Sequence, residues 1–108
     1  MTAEEIYQTS FRLITAAGTA KSCYINAIEE AKKGNYEGSE KLIEEGDQAY
    51  NTGHAPHAAL VSKEADGQGP EMNLILTHAE DQMMSCEVFR VLAQRLIDLY
   101  KELDTLKK

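Results

Sequence analysis

Tryptophan is absent from these 108 residues, aromatic side chains make up 6%, and proline and cysteine each occur twice. The two cysteines, Cys23 and Cys86, form no CxxC pair and are far apart, so neither a disulfide framework nor a thiolate metal knuckle is expected. Such sparse thiols suit a reducing cytosol. Apolar runs are short; the stretch Met72 to Leu76 is interrupted by Asn73, well below the ~20 residues that span a bilayer. The opening Met-Thr-Ala-Glu-Glu is acidic where a secretory signal would be basic. A cytoplasmic protein is therefore expected. Basic residues number 11 against 18 acidic ones, for a net charge of −7. A protein that tracks nucleic-acid phosphates needs a Lys/Arg stripe to displace counterions, and the scattered cations here provide none. The length excludes a second domain, since chains need well over ~150 residues to form two. About two-thirds of the unfolded surface is buried at this size, enough for a core but not for a deep enclosed cleft. Any chemistry must sit on a surface, in a shallow groove or between copies.

What is present is helical. Thr2 followed by Glu5 has the form of a capping box. The first segment ends at Lys32-Lys33-Gly34, with cations at the negative helix end and a glycine free to turn left-handed. Asn35 caps a second segment that runs to about Ala65 and closes on Asp66-Gly67-Gln68-Gly69. Pro70 stands where proline is tolerated, at a first helical position, with Glu71 beside it. The expected helices span residues 3–33, 36–65 and 70–106 of a single domain, 1–108. Strand patterning with period two is missing. Ile6, Ser10, Leu13, Ala17, Ala20, Tyr24, Ala27 and Ala31 alternate spacings of four and three, and Tyr36, Ser39, Ile43, Gly46, Tyr50, Gly53, His57 and Leu60 repeat the pattern. Pro56 removes one backbone donor and is expected to kink the second helix. The fold class is all-α, an antiparallel up-down-up three-helix bundle.

The third segment carries two seams, one from Leu74 through His78, Asp81, Ser85, Val88, Leu92 and Arg95 to Leu99, the other from Ile75 through Ala79, Gln82, Cys86, Phe89, Ala93, Leu96 and Tyr100 to Leu103. An isolated bundle needs one stripe per helix, so a second packing partner is implied, most simply another copy of the chain.

Polar residues break the pattern. His78 and Asp81 lie one turn apart where Leu or Val would be expected, and an unpaired buried carboxylate needs a partner, a proton or a cation. The pair reads in three ways: a hydrogen-bonded register device, two ligands of a metal completed by other copies, or a nucleophilic imidazole that attacks phosphorus. The pattern alone does not choose, and a non-catalytic metal-binding or adaptor bundle stays open. His54 and His57 flank Pro56 on the second helix; antiparallel pairing would let them converge with His78. Gly34-Asn35-Tyr36-Glu37-Gly38 lacks the Lys-Ser/Thr of a phosphate loop and reads as a turn.

Leu74-Ile-Leu-Thr-His78-Ala-Glu-Asp81-Gln-Met-Met resembles the signature of the lactose/cellobiose-type enzyme IIA of the bacterial phosphoenolpyruvate-dependent sugar phosphotransferase system, which runs roughly apolar-apolar-x-His-Ala-Gln-Asp-His-Leu-Met. Ala17-Gly18-Thr-Ala20-Lys-Ser22 is similar to the family's Ala-Gly-x-Ala-Arg-Ser, Lys33-Gly34-Asn-Tyr36 to its Gly-Asp-Phe turn, and His54 to the His of its His-x-x-Gln-Thr. The resemblance covers nearly the whole chain. It implies a homotrimer in which His78 accepts phosphate from HPr and passes it to the cysteine of an enzyme IIB, during uptake of a β-linked disaccharide (lactose, cellobiose or chitobiose type) chosen by the membrane component. Asp81 falls on the carboxylate whose three copies hold a structural Mg²⁺ on the trimer axis, and His54, His57 and Gln82 become candidates for supporting the phosphoryl group.

Three positions depart from the family pattern. His57 stands where the family has Gln, and Gln82 where it has His, as though the two had been exchanged between helices; either the side chains touch and the swap preserves a pair, or the changes are independent. Gln82 cannot take up a proton, and His57 is a candidate to do so instead. Glu80 in place of Gln adds a negative charge beside His78, expected to repel an incoming phosphoryl group or to pair with the imidazolium.

Overall fold

The computed structural model describes residues 1–107, which form three helices: α1 (Ala3–Lys32), α2 (Tyr36–Ala65) and α3 (Leu74–Leu106). Thr2 caps α1 as expected, its hydroxyl accepting from the Glu5 amide at 3.1 Å while its own amide donates to Glu5 Oε1 at 3.0 Å. At the other end the Asn35 amide reaches back to the Glu30 carbonyl (2.9 Å) and the Gly34 amide to that of Ala31 (3.0 Å). This closure needs φ +87° at Gly34, a conformation that glycine adopts without a Cβ penalty. Asn35 then caps α2 by accepting from the Gly38 amide at 3.0 Å. Helix α2 continues through Pro56 without ending there.

The start of α3 corrects the sequence expectation. Its first residue is Leu74 rather than Pro70, and the cap is Asn73, whose Oδ1 accepts from the Leu76 amide at 2.8 Å. A helix starting at Pro70 would be capped by Gly69, which has no side-chain acceptor for the free amides of the first turn; Asn73 has one.

Helix α1 is the central element. It packs along both other helices, whereas α2 and α3 meet each other at few positions. All eight residues of its expected seam, from Ile6 to Ala31, are buried. Many are alanines, and their small side chains let both neighbours come close. One close approach is at Gly46 of α2, where the ring of Tyr24 occupies the space of a side chain: a Cβ there would lie 2.5 Å from the Tyr24 ring. The buried stripe of α3 is Leu76, Ala79, Met83, Cys86, Ala93 and Ile97. Ala79, Cys86 and Ala93 belong to one expected seam, but Leu76, Met83 and Ile97 belong to neither. The other seam lies on the surface, with Leu74, Val88, Leu92 and Leu99 exposed.

Where α2 and α3 face each other, the links are polar. His57 meets Glu80, the Tyr50 hydroxyl donates to Glu87 (2.6 Å) and Asp47 pairs with Arg90 (2.9 Å). Steps of seven and three residues down α2 are matched by equal steps up α3, which fixes an antiparallel register. Asp47 also accepts from the Tyr24 hydroxyl at 2.6 Å, so one carboxylate joins all three helices. Burial, and then this carboxylate, push the Tyr24 phenol well above the ordinary tyrosine range.

Because Tyr24 is held by that bond and fills the space at Gly46, Gly46→Ala is expected to destabilise the fold by about 1–3 kcal/mol through overpacking. Thermal unfolding followed by circular dichroism checks this; an unchanged melting temperature would show that the ring moves aside at no cost.

Candidate functional site

The capped N-terminal third of α3 carries the candidate residues, and the helix period sorts them. Glu80 points to α2, where its Oε2 lies 2.7 Å from His57 Nδ1. Both side chains are about three-quarters buried, at 21% and 26% exposure. The ring N–H does not line up with the carboxylate, so Nδ1 has no aligned hydrogen bond, and the contact is an ion pair only when the imidazole is protonated. His78 and Gln82 each lie two residues from Glu80 and are therefore turned by about 200° from it, away from α2. They share the opposite flank of α3, one turn apart. On that flank Lys21 of α1 donates to Gln82 Oε1 at 2.7 Å and stands over the Phe89 ring, 5.3 Å from its centroid.

His78 is exposed, and among the described residues no side chain is hydrogen-bonded to its ring. Asp81, the next position but two, is also exposed and without an ion-pair or hydrogen-bond partner among the described residues. It lies on the outward seam with Leu74 and Val88. His54 is exposed on α2, its ring 6.5 Å from that of Tyr50. Cys86 sits in the core, and burial is the main cause of its raised thiol pKa. Among the described residues no three His, Cys, Asp or Glu side chains of one chain cluster as a metal site.

Two expectations are corrected. The three imidazoles do not converge within one chain: His57 is engaged with Glu80, and His78 looks the other way. Nor are His57 and Gln82 paired with each other within one chain. The residue paired with His57 is Glu80, and the residue paired with Gln82 is Lys21. The departures from the family pattern therefore couple differently: the extra negative charge at Glu80 faces the imidazole at position 57 rather than His78. Lys21 stands where the family's Ala-Gly-x-Ala-Arg-Ser has Arg, and that shared cation is the sequence signal that could have marked it.

The profile described as "PTS system, Lactose/Cellobiose specific IIA subunit" matches residues 8–101. The chain belongs to this IIA family. It is 34% identical over 94 residues to the oligo-beta-mannoside-specific EIIA component of Bacillus subtilis strain 168, covering 87% of this chain and 86% of that one. Its fold superposes on the cellobiose-specific enzyme IIA of Bacillus anthracis with a TM-score of 0.89 at 33% identity, over 97% of this chain and 94% of that one. It also superposes on a chain of the IIA(Chitobiose)–HPr complex with a TM-score of 0.81 at 26% identity, over 94% and 99% of the two chains. Membership makes the chain a component of the phosphotransferase system, with a transferase-type role, and the IIA relatives share its all-α bundle. No described helix of this IIA protein is long and apolar enough to cross a membrane.

If the charges at positions 57 and 80 compensate each other, a double-mutant cycle on His57→Gln and Glu80→Gln should give a coupling of about 0.5–1 kcal/mol in thermal or urea unfolding. Strict additivity of the two changes would mean that the pair contributes nothing beyond its separate side chains.

Proposed function

We propose that the chain is a phosphohistidine carrier, accepting a phosphoryl group from phospho-HPr on His78 and delivering it to the cysteine of a cognate enzyme IIB. The observation that carries this reading is the placement of His78: an exposed imidazole with no internal partner, on an ordered helix that carries the His-Ala-x-Asp segment. A neutral ring nitrogen with a free lone pair is the nucleophile such a transfer needs. In the first step a bond forms between a His78 ring nitrogen and phosphorus while the bond from phosphorus to the donor's nitrogen breaks. The bonding electron pair stays with the donor, and each ring keeps the proton on its other nitrogen. In the second step a cysteine thiolate attacks the same phosphorus and His78 leaves as neutral imidazole. Such transfers depend on positioning and charge screening more than on covalent machinery. An exposed helical face suits the task, since two protein partners must reach one atom in turn. HPr as donor is supported by the complex in which the chitobiose relative was solved. Relatives named for oligo-beta-mannoside and cellobiose support uptake of a β-linked sugar.

We further propose that three copies assemble through the outward seam of α3. Leu74, Val88, Leu92 and Leu99 are 83%, 58%, 56% and 49% exposed, a larger apolar stripe than a lone soluble helix displays. Asp81 is the one carboxylate in that seam and has no partner in its own chain. Its free, outward oxygens suit a Mg²⁺ ion shared by three copies, which would neutralise carboxylates brought together by assembly. Gln82 of the same copy, and His54 and His57 of a neighbouring copy, are the candidates to support the phosphoryl group.

Incubation with phosphoenolpyruvate, the general phosphotransferase enzyme and HPr is expected to place an acid-labile phosphate on the wild type and none on His78→Ala. A folded wild type that takes no label would instead favour the adaptor or metal-binding reading. Light scattering should give the mass of three chains at micromolar concentration. Chelation by EDTA should lower the melting temperature of the wild type but not that of Asp81→Leu, whose apolar side chain replaces the ion requirement. An equal response of both proteins would remove Asp81 from the metal site.

A further inference from the structure

Three cationic side chains are half-buried among the described residues: Lys21, Arg90 and Lys101. Arg90 is paired with Asp47, and Lys101 with Glu40 at 3.5 Å. Lys21 differs. In a chain with 18 acidic residues it has no carboxylate within ion-pair distance among the described residues, only the neutral Gln82 amide and the Phe89 ring. A partly desolvated ammonium held by an amide oxygen and a π face is anchored in position but keeps its charge uncompensated.

The position of the anchor matters. Gln82 follows His78 by four residues, so the two stand about one turn, roughly 6 Å along the axis, apart on the same flank of α3. Side chains lean toward the N-terminus of their helix, which brings the Gln82 amide, and the ammonium on it, over the turn that begins at His78. An ammonium has three protons to donate. Gln82 takes one, which leaves donors for an anion arriving at His78.

We propose that Lys21 is the cation that holds and neutralises the phosphoryl group while it is carried by His78, an inference that rests on the carrier reading above. Lys21 forms no covalent bond in either transfer and its proton count does not change. It donates hydrogen bonds to the phosphoryl oxygens, and Gln82 keeps the ammonium at the right level of the helix. The acidic surface is thereby offset at the one place where a dianion must sit, with Glu80 turned away toward His57. Gln82 then has a role that requires no proton uptake.

The test compares wild type, Lys21→Met, Lys21→Arg and His78→Ala, with phospho-HPr as donor. Single-turnover loading of Lys21→Met should be about ten-fold slower than wild type, and Lys21→Arg should recover to within about three-fold. In ³¹P NMR of the loaded proteins, the pH midpoint of the phosphoryl group should rise by about half a unit in Lys21→Met, because a nearby cation favours the dianion, and stay low in Lys21→Arg. A merely structural lysine would not move that midpoint. Should Lys21→Met fail to fold, Lys21→Gln carries the same expectations with hydrogen bonding retained. Loading and titration of the uncharged variant at wild-type values overturn the role of Lys21 while the carrier reading stands. Absence of label on the wild type, or label retained in His78→Ala, overturns the carrier reading and this inference with it.

Discussion

One carboxylate sets the geometry on which the rest depends. Asp47 accepts from Tyr24 of α1 and binds the guanidinium of Arg90 on α3, so a single side chain of α2 joins all three helices. Apolar packing alone would leave the relative level of α2 and α3 weakly specified, because each packs on α1 and they scarcely pack on each other. Hydrogen bonds and ion pairs are directional, and a slip of one turn would break this link and its neighbours together. The same register carries Tyr50 to Glu87 and His57 to Glu80. The level at which α3 stands on α1 also decides that Lys21 meets Gln82. The tie at mid-bundle thus fixes the surroundings of His78 from a distance.

Much of the fold is legible in the sequence because the core seam of one helix keeps a strict period of small and apolar residues. In α1, apolar and small residues recur at alternating spacings of four and three, and the whole expected seam is buried, while Tyr7, Phe11 and Ile25 of the stripe beside it are exposed. Helix α3 has apolar residues on several adjacent faces, so no polar side marks where the core ends. The core takes Leu76, Met83 and Ile97 and leaves the Leu74 to Leu99 seam outside. An ambiguity of this kind is what a helix with two interfaces produces. The start of α3 is ambiguous in the sequence because proline is an admissible first residue, while the side-chain acceptor of Asn73 makes the stronger cap.

The site was legible as a set of residues but not as an arrangement. His78 and Asp81 stand out because they interrupt an apolar seam. Which residues touch them depends on which flank of α3 meets α2, and a rotation of about 200° between neighbours two apart reverses the answer. That rotation explains why His57 engages Glu80 and not Gln82, and why the negative charge introduced at position 80 does not face His78. The pairing of Lys21 with Gln82 joins residues 61 positions apart and leaves no local trace in the sequence.

The sparse contact between α2 and α3 also bears on how the chain folds and assembles. α1 and α2 are joined by the short turn Lys33–Asn35 and form a helical hairpin of local contacts, the kind that closes early and at low entropic cost. α3 follows after a longer connection and finds its docking surface almost entirely on α1. Until it docks, both of its apolar stripes are open to the wrong partners; afterwards only one remains. Folding of a single chain and recognition of its copies are thus consecutive uses of the same helix, the second made available by the first.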